Sequence, residues 1–244
     1  MLITSPNNEK IKELGKLKQK KYRDKTGRFL VEGMHLIMEA YKSGCLLEVL
    51  LEQNEVLPLD IPITYVSNDI ITKLSTLETP STILGICQKK VEQTEDLGDH
   101  ILALDGIQDP GNLGTIIRSS VAFNVDTLLL SNDTVDLYNP KVIRASQGMI
   151  FHLNIIRRDL VPEILTLKEK CYKIYGTKVT HGIDIKQLNN LSKYVLIMGN
   201  EGNGIREESE DLCDEFLYIN MNEACESLNV GVACSIMLYQ LGTR

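Results

Sequence analysis

Val195, Leu196, Ile197 and Met198 form an apolar run that leads directly into Gly199-Asn200-Glu201-Gly202-Asn203-Gly204. A second apolar run, Phe216 to Ile219, follows after a short intervening stretch. A polar loop then leads to Glu226-Ser227-Leu228-Asn229, which opens a last apolar helical segment. Each run reads as a strand. Two strands that end in polar, glycine-bearing loops make a pocket at their carboxyl edge, where open α/β sheets bind ligands.

Strand and helix signals alternate through the whole second half. Strands are expected at 101–104, 127–130, 151–156, 173–176, 195–198 and 216–219. Helices are expected at 113–123, from Pro140, at 162–171, at 205–212 and from Val230 onward, with Asn112 capping the first. This alternation argues for a parallel sheet covered on both faces. The first 90 residues also alternate. A helix is expected over 5–20, a turn over 24–27, a strand at 29–31 and a helix at 34–43. Strands at 46–52, 64–66 and 83–88 and a helix at 69–77 follow, as in a small α/β domain. Residues 91–100 are polar and read as a linker, which gives units 1–90 and 101–244.

The chain has 244 residues and a net charge of −7, but the charge is uneven. Residues 1–30 hold nine Lys/Arg, among them Lys20, Lys21, Arg23 and Arg28, against three acids. A basic arm on an acidic body suits a polyanion; a solvated amphipathic helix is the plainer reading. Six scattered cysteines with no CxxC pair read as free thiols. The four histidines are isolated, and no metal is expected. The N-terminus lacks a basic-then-apolar leader, and no apolar run approaches ~20 residues, so a cytoplasmic protein without a membrane span is expected.

Three stretches carry candidate chemistry. GNEGNG at 199–204 is neither GxGxxG nor a P-loop, and the Glu201 carboxylate would repel a phosphate. It suits hydroxyls, amines, a positive centre or an arginine; alone, it also reads as a plain turn. Asn112 and Arg118 lie less than two helical turns apart, and Arg118 is either an anion clamp or a surface residue. Ser227 and Asn229 head the last helix, where capping is the plain role. Ser227 lacks the setting of a nucleophile.

Taken together, these stretches resemble the SpoU (TrmH-like) family of RNA ribose 2′-O-methyltransferases, within the SPOUT superfamily. The first motif is similar to Asp109-Pro110-Gly111-Asn112-Leu113-Gly114 through Arg118, and the second to Ile197 through Gly204. The third is similar to Ile219-Asn220-Met221 through Glu226-Ser227-Leu228-Asn229-Val230. Lys21 through Gly33 resembles the family's ribosomal-protein-like α/β/α substrate-binding module. The chain departs from the pattern at Asn220, Glu223 and Gly231, where the family usually has Pro, Gly and Ser.

The resemblance implies an α/β SPOUT domain with a trefoil knot, S-adenosylmethionine as cofactor, and a homodimer through the last helix. It implies cofactor contacts at Gly199, Ile219, Leu228, Met221 and Thr177. Its catalytic positions are Arg118, Asn112, Glu201, Ser227 and Asn229. RNA contacts are expected from Lys20, Lys21, Arg23, Arg28 and Arg144. The implied substrate is ribosomal RNA of the 23S type, with transfer RNA as the alternative. A noncatalytic RNA-binding or ribosome-assembly protein on the same fold is a reading of a different class.

Overall fold

A computed structural model describes residues 2–188 and 191–242, and these fall into two compact units. The first comprises Met1–Val91 with Asp136–Phe151; the second comprises Glu92–Val135 with His152–Arg244. The chain passes between them at 91/92, 135/136 and 151/152.

The first unit runs β1 (Leu2–Ile3), α1 (Glu9–Lys16), α2 (Lys20–Thr26), β2 (Arg28–Glu32), α3 (Met34–Lys42), β3 (Leu46–Glu52), β4 (Ile63–Val66), α4 (Asn68–Leu74) and β5 (Ile83–Gln88). Its five strands form a mixed sheet, ordered β1-β4-β3-β5-β2. Ile11 and Leu14 of α1 pack with Ile70, Ile71 and Leu74 of α4 on one face, over Leu50, Val66, Leu84 and Ile86. The other face meets α3. A Cβ at Gly85 would lie 2.8 Å from Val31 and 3.1 Å from Ile37, so only glycine lets this helix approach the sheet so closely.

The expected helix over 5–20 is instead two short ones. Asn8 caps α1 by accepting from the Lys10 N–H, and a break at 17–19 separates α1 from α2. The residues expected as a turn, Asp24 to Thr26, are the end of α2, which Gly27 closes at φ 65°. Segment 136–151 completes this unit. Tyr138 sets its ring centroid 4.6 Å from Phe29, and Phe151 lies 6.1 Å from the same ring. Asp136 pairs with the buried Arg23.

The second unit runs β6 (His100–Asp105), α5 (Pro110–Ala122), β7 (Thr127–Leu130), then α6 (Pro140–Ala145), which folds with the first unit. It continues with β8 (Asn154–Arg157), α7 (Leu160–Glu169), β9 (Lys173–Thr177), β10 (Ile183–Asp184), β11 (Tyr194–Gly199), α8 (Glu207–Glu210), β12 (Glu215–Tyr218) and α9 (Val230–Gly242). Every strand pair in its seven-stranded sheet is parallel, in the order β10-β12-β9-β11-β6-β7-β8. All residues of β7 and β11 are buried, the mark of a sheet with both faces covered. The architecture is therefore the expected α/β fold with a parallel sheet.

Two local readings change. Asn112 is not the cap of α5 but its third residue: Asp109 caps, accepting from the Asn112 N–H at 2.8 Å, with Pro110 at the first position. The polar stretch expected as a linker is tied to the second unit. Gln93 N–H donates to Asn154, Glu92 pairs with Arg158 at 3.0 Å, and Leu97 is buried. No helix among the described residues is long and apolar enough to cross a membrane. The six cysteines are free thiols.

Candidate active site

The carboxyl ends of β6 and β11 lie side by side, since Asp105 and Gly199 are the last register partners of that pair. The loop after β11 folds back hard on itself. Asn200 and Gly204 exchange backbone hydrogen bonds of 2.8 and 3.0 Å, with Gly204 at φ 71°. A Cβ at Gly199 would lie 2.1 Å from the Gly204 carbonyl carbon, so no other residue fits. The Asn200 side chain fills the turn. Its Oδ1 accepts from Gly202 and Asn203 N–H, and its Nδ2 donates to Gly106 O at 2.7 Å.

This turn presents Glu201 to the β6–α5 loop. Its carboxylate accepts from the Gln108 N–H (3.3 Å), the Asp109 N–H (3.2 Å) and Asn112 Nδ2 (3.0 Å). Burial disfavours the charge, but the Asn112 amide and the backbone donors outweigh it, so the Glu201 carboxyl sits below the usual carboxylate range. Asn112 passes the chain of contacts on: its Oδ1 accepts from Asn229 Nδ2 at 2.8 Å. Asn229 Oδ1 in turn caps α9, accepting from Gly231 and Val232 N–H. Glu201, Asn112 and Asn229, one from each motif, thus form one hydrogen-bonded array.

Beside it opens a cleft of about 620 Å³, within the range of small-molecule sites. Thr177, Gly199, Ile219, Met221 and Leu228 all line it, as do Glu201, Ser227 and Asn229. Met198 and Met237 add apolar walls. A wall of thioether and aliphatic groups beside glycine-rich main chain suits a flat, apolar-faced nucleoside with a polar tail. The cleft therefore fits S-adenosylmethionine in size and chemistry.

Arg118 stands apart. It is exposed on α5, about 9 Å along the helix axis from Asn112, outside the cleft lining, and it makes no hydrogen bond or ion pair among the described residues. Its helix packs on α9 through Ser119 and Ser235, whose hydroxyls are 2.6 Å apart, and through Phe123 and Tyr239.

Comparison with known proteins agrees with this geometry. A family described as the SpoU rRNA Methylase family matches residues 99–239, and the MRM3-like substrate binding domain matches residues 8–85. The chain belongs to the SpoU rRNA methylase family. It is an S-adenosylmethionine-dependent RNA ribose methyltransferase. It is 37% identical, over 98% of both chains, to the 23S rRNA (guanosine(2553)-2′-O)-methyltransferase RlmP of Bacillus subtilis. Among solved structures, this SpoU methylase resembles an RNA 2′-O ribose methyltransferase at TM-score 0.84 and 28% identity, with 99% and 98% of the two chains covered. It also resembles the AdoMet-bound rRNA methyltransferase of Sinorhizobium meliloti at TM-score 0.87 and 25% identity, over 99% and 97%.

The basic residues of this SpoU methylase divide. Lys21, Arg28 and Arg144 are exposed, and Lys20 is exposed but paired with Asp24 at 2.6 Å. Arg23 is a correction. It is 4% exposed and spends its guanidinium on Leu17 O, Lys18 O and Asp136, so no phosphate reaches it. Its partner lies 113 residues away, which is why a run of cations hid its role. Asn200 and Asp109 lie inside the motifs and Gln108 beside one, yet motif reading assigned none of them a role. An Asn inside a glycine-rich turn was the available signal for the first; nothing local marks the two backbone donors. Among the described residues no three His, Cys, Asp or Glu side chains cluster as metal ligands.

Proposed function

We propose that this enzyme methylates a ribose 2′-hydroxyl in large-subunit, 23S-type ribosomal RNA. The observation that carries the reading is the Glu201–Asn112–Asn229 array at the rim of the cleft. Full-length similarity to a 23S rRNA methyltransferase supports the substrate.

Bound S-adenosylmethionine supplies a methyl group activated by its sulfonium. The residues around it position and hold. Thr177, Gly199, Ile219, Met221 and Leu228 hold the cofactor in the cleft. Glu201 keeps the β6–α5 loop closed by accepting three N–H groups, and Asn112 transmits that order to Asn229. Ser227, beside Asn229 on the wall, orients the ribose. Arg118 clamps the RNA phosphate and 2′-oxygen; its guanidinium is a donor without an acceptor lone pair, so it positions the hydroxyl and does not take its proton, and placement supplies much of the rate. Lys20, Lys21, Arg28 and Arg144 bind phosphates on the first unit.

Arg118 reaches a cleft when two copies pair through α9. Val232, Ile236 and Tyr239 of that helix are exposed apolar residues, and α5 packs directly on it. The chain from β12 back to α9 is read as the closing pass of a trefoil knot. The expected setting is the cytoplasm, where ribosomal RNA is modified.

The test is direct. Ribosomal RNA from cells lacking the gene is incubated with enzyme and S-adenosylmethionine, and 2′-O-methyls are mapped. One new methyl in large-subunit RNA is expected. Methylation confined to transfer RNA would replace the substrate. Cofactor heat absent in calorimetry, with no methyl formed, would overturn the activity.

A further inference from the structure

Asp105 ends β6 with its carboxylate buried; at 1% exposure it is the most enclosed acid among the described residues. A lone carboxylate there would be strongly disfavoured. One residue meets it twice. The Arg206 N–H donates to Asp105 Oδ2 at 3.1 Å, and the Arg206 guanidinium pairs with Oδ1. The same guanidinium lies 3.8 Å from Asp133 Oδ1.

These contacts fall at the base of the two loops that form the catalytic array. The β6–α5 loop starts immediately after Asp105, and the β11 loop ends at Arg206. Between base and tip, Asn200 Nδ2 holds Gly106 O; at the tip, Gln108 and Asp109 N–H hold Glu201. Gln108 is itself anchored, since its Nε2 donates to Asp133 O at 2.8 Å. Gly106 N–H is held by Ser131 Oγ at 2.9 Å. The loops are therefore joined at three levels, and only the lowest is ionic.

We infer that Arg206 is a positioning residue for methyl transfer: by neutralising buried Asp105 it locks the β6–α5 and β11 loops together and so fixes Glu201 and Asn112. The inference rests on the methyltransferase reading for its kinetic consequence, but not for its structural one. Arg206 touches neither cofactor nor RNA in this role.

The experiment compares wild type, R206K, R206Q and D105N/R206Q as full chains. Two readouts are used: steady-state methylation, and amide hydrogen exchange of residues 106–109. R206Q leaves a buried charge without its partner. Its exchange over 106–109 should rise at least about tenfold, and its kcat should fall about 10- to 100-fold, as misplacement of about 1 Å does, with KM for RNA within about threefold. R206K, which keeps the charge, should recover most of the rate. D105N/R206Q, which removes the orphan charge, should exchange and turn over closer to wild type than R206Q does. Unchanged exchange in R206Q overturns the inference whatever the activity shows. So does a defect confined to the KM for RNA, which would make Arg206 an RNA contact. So does a double variant no better than R206Q. A wild type that methylates nothing sinks the activity reading instead, and the exchange comparison still decides the role of Arg206.

Discussion

Asn229 Nδ2 donates to Asn112 Oδ1 at 2.8 Å, joining residues 117 positions apart. Asn229 has two separable duties, because its Oδ1 caps α9 while its Nδ2 orients Asn112. Asn229→Asp keeps the cap and removes the donor. It should leave stability within about 1 kcal/mol of wild type while lowering kcat at least tenfold. Asn229→Ala loses both and should cost about 1 kcal/mol more by the cap alone. Thermal melts beside methylation kinetics check the pair; equal kinetics in Asn229→Asp and wild type would remove Asn229 from the catalytic array.

Glu201 supplies a pH signature. Its carboxyl is held below the usual ~4.3, so it favours the charged form when folded. The stability it contributes is present above the ordinary carboxylate value and is lost as pH falls through the lowered, folded value. The array should therefore survive at pH 5 and fail only below pH ~4.3. Asn112→Ala removes one donor to the charged form and should move the Glu201 titration upward. Carbon-detected titration of the Glu201 carboxyl in both proteins measures this, and an unmoved titration would show that Asn112 does not set it.

Arg118→Ala should leave cofactor binding within about twofold and abolish methyl transfer, because the side chain lies outside the cleft proposed for the cofactor. Calorimetry with S-adenosylmethionine beside a methylation assay separates the two effects. Unchanged turnover would end its role as a clamp.

Charge at the N-terminus should act in two ways. Lys21→Ala and Arg28→Ala are exposed changes. Each should lower the salt slope of RNA binding by about one and leave stability alone. Arg23→Ala strands Asp136 and should cost about 3–5 kcal/mol. Filter binding across a salt series, with denaturant melts, distinguishes them.

Ile236→Glu on the exposed face of α9 should convert the proposed dimer to monomers in sedimentation and abolish activity while leaving the melt cooperative. A wild type that sediments as a monomer would remove the proposed pairing.

Local signals were sufficient where they were self-contained. The strands at 46–52, 83–88 and 127–130 have the expected limits because apolar runs bounded by turn residues specify them. Positions 177, 199, 219, 221 and 228, which only the family resemblance singled out, line one cleft. What could not be read depends on distant partners. Arg23 looks like any cation in a basic run until Asp136 arrives. Asp105 looks like the end of a strand until Arg206 caps it. Two-residue strands such as Leu2–Ile3 carry no periodicity at all and exist only because a neighbour pairs with them. The expected helix over 205–212 shrinks to the single turn Glu207–Glu210, since residues 205 and 206 are drawn back toward the β6 edge.

Residues 136–151 belong to the first unit although the segment starts 48 positions after the end of its last strand, at Gln88. A ribosome that has released only the first 91 residues has delivered a sheet whose Phe29 lacks the Tyr138 ring and a helix α2 whose Arg23 lacks Asp136. Maturation of the N-terminal half must therefore wait until synthesis is well into the C-terminal half. Severing the gene at the apparent boundary should yield a first fragment that lacks part of its own fold and a second that carries the missing piece as a surplus.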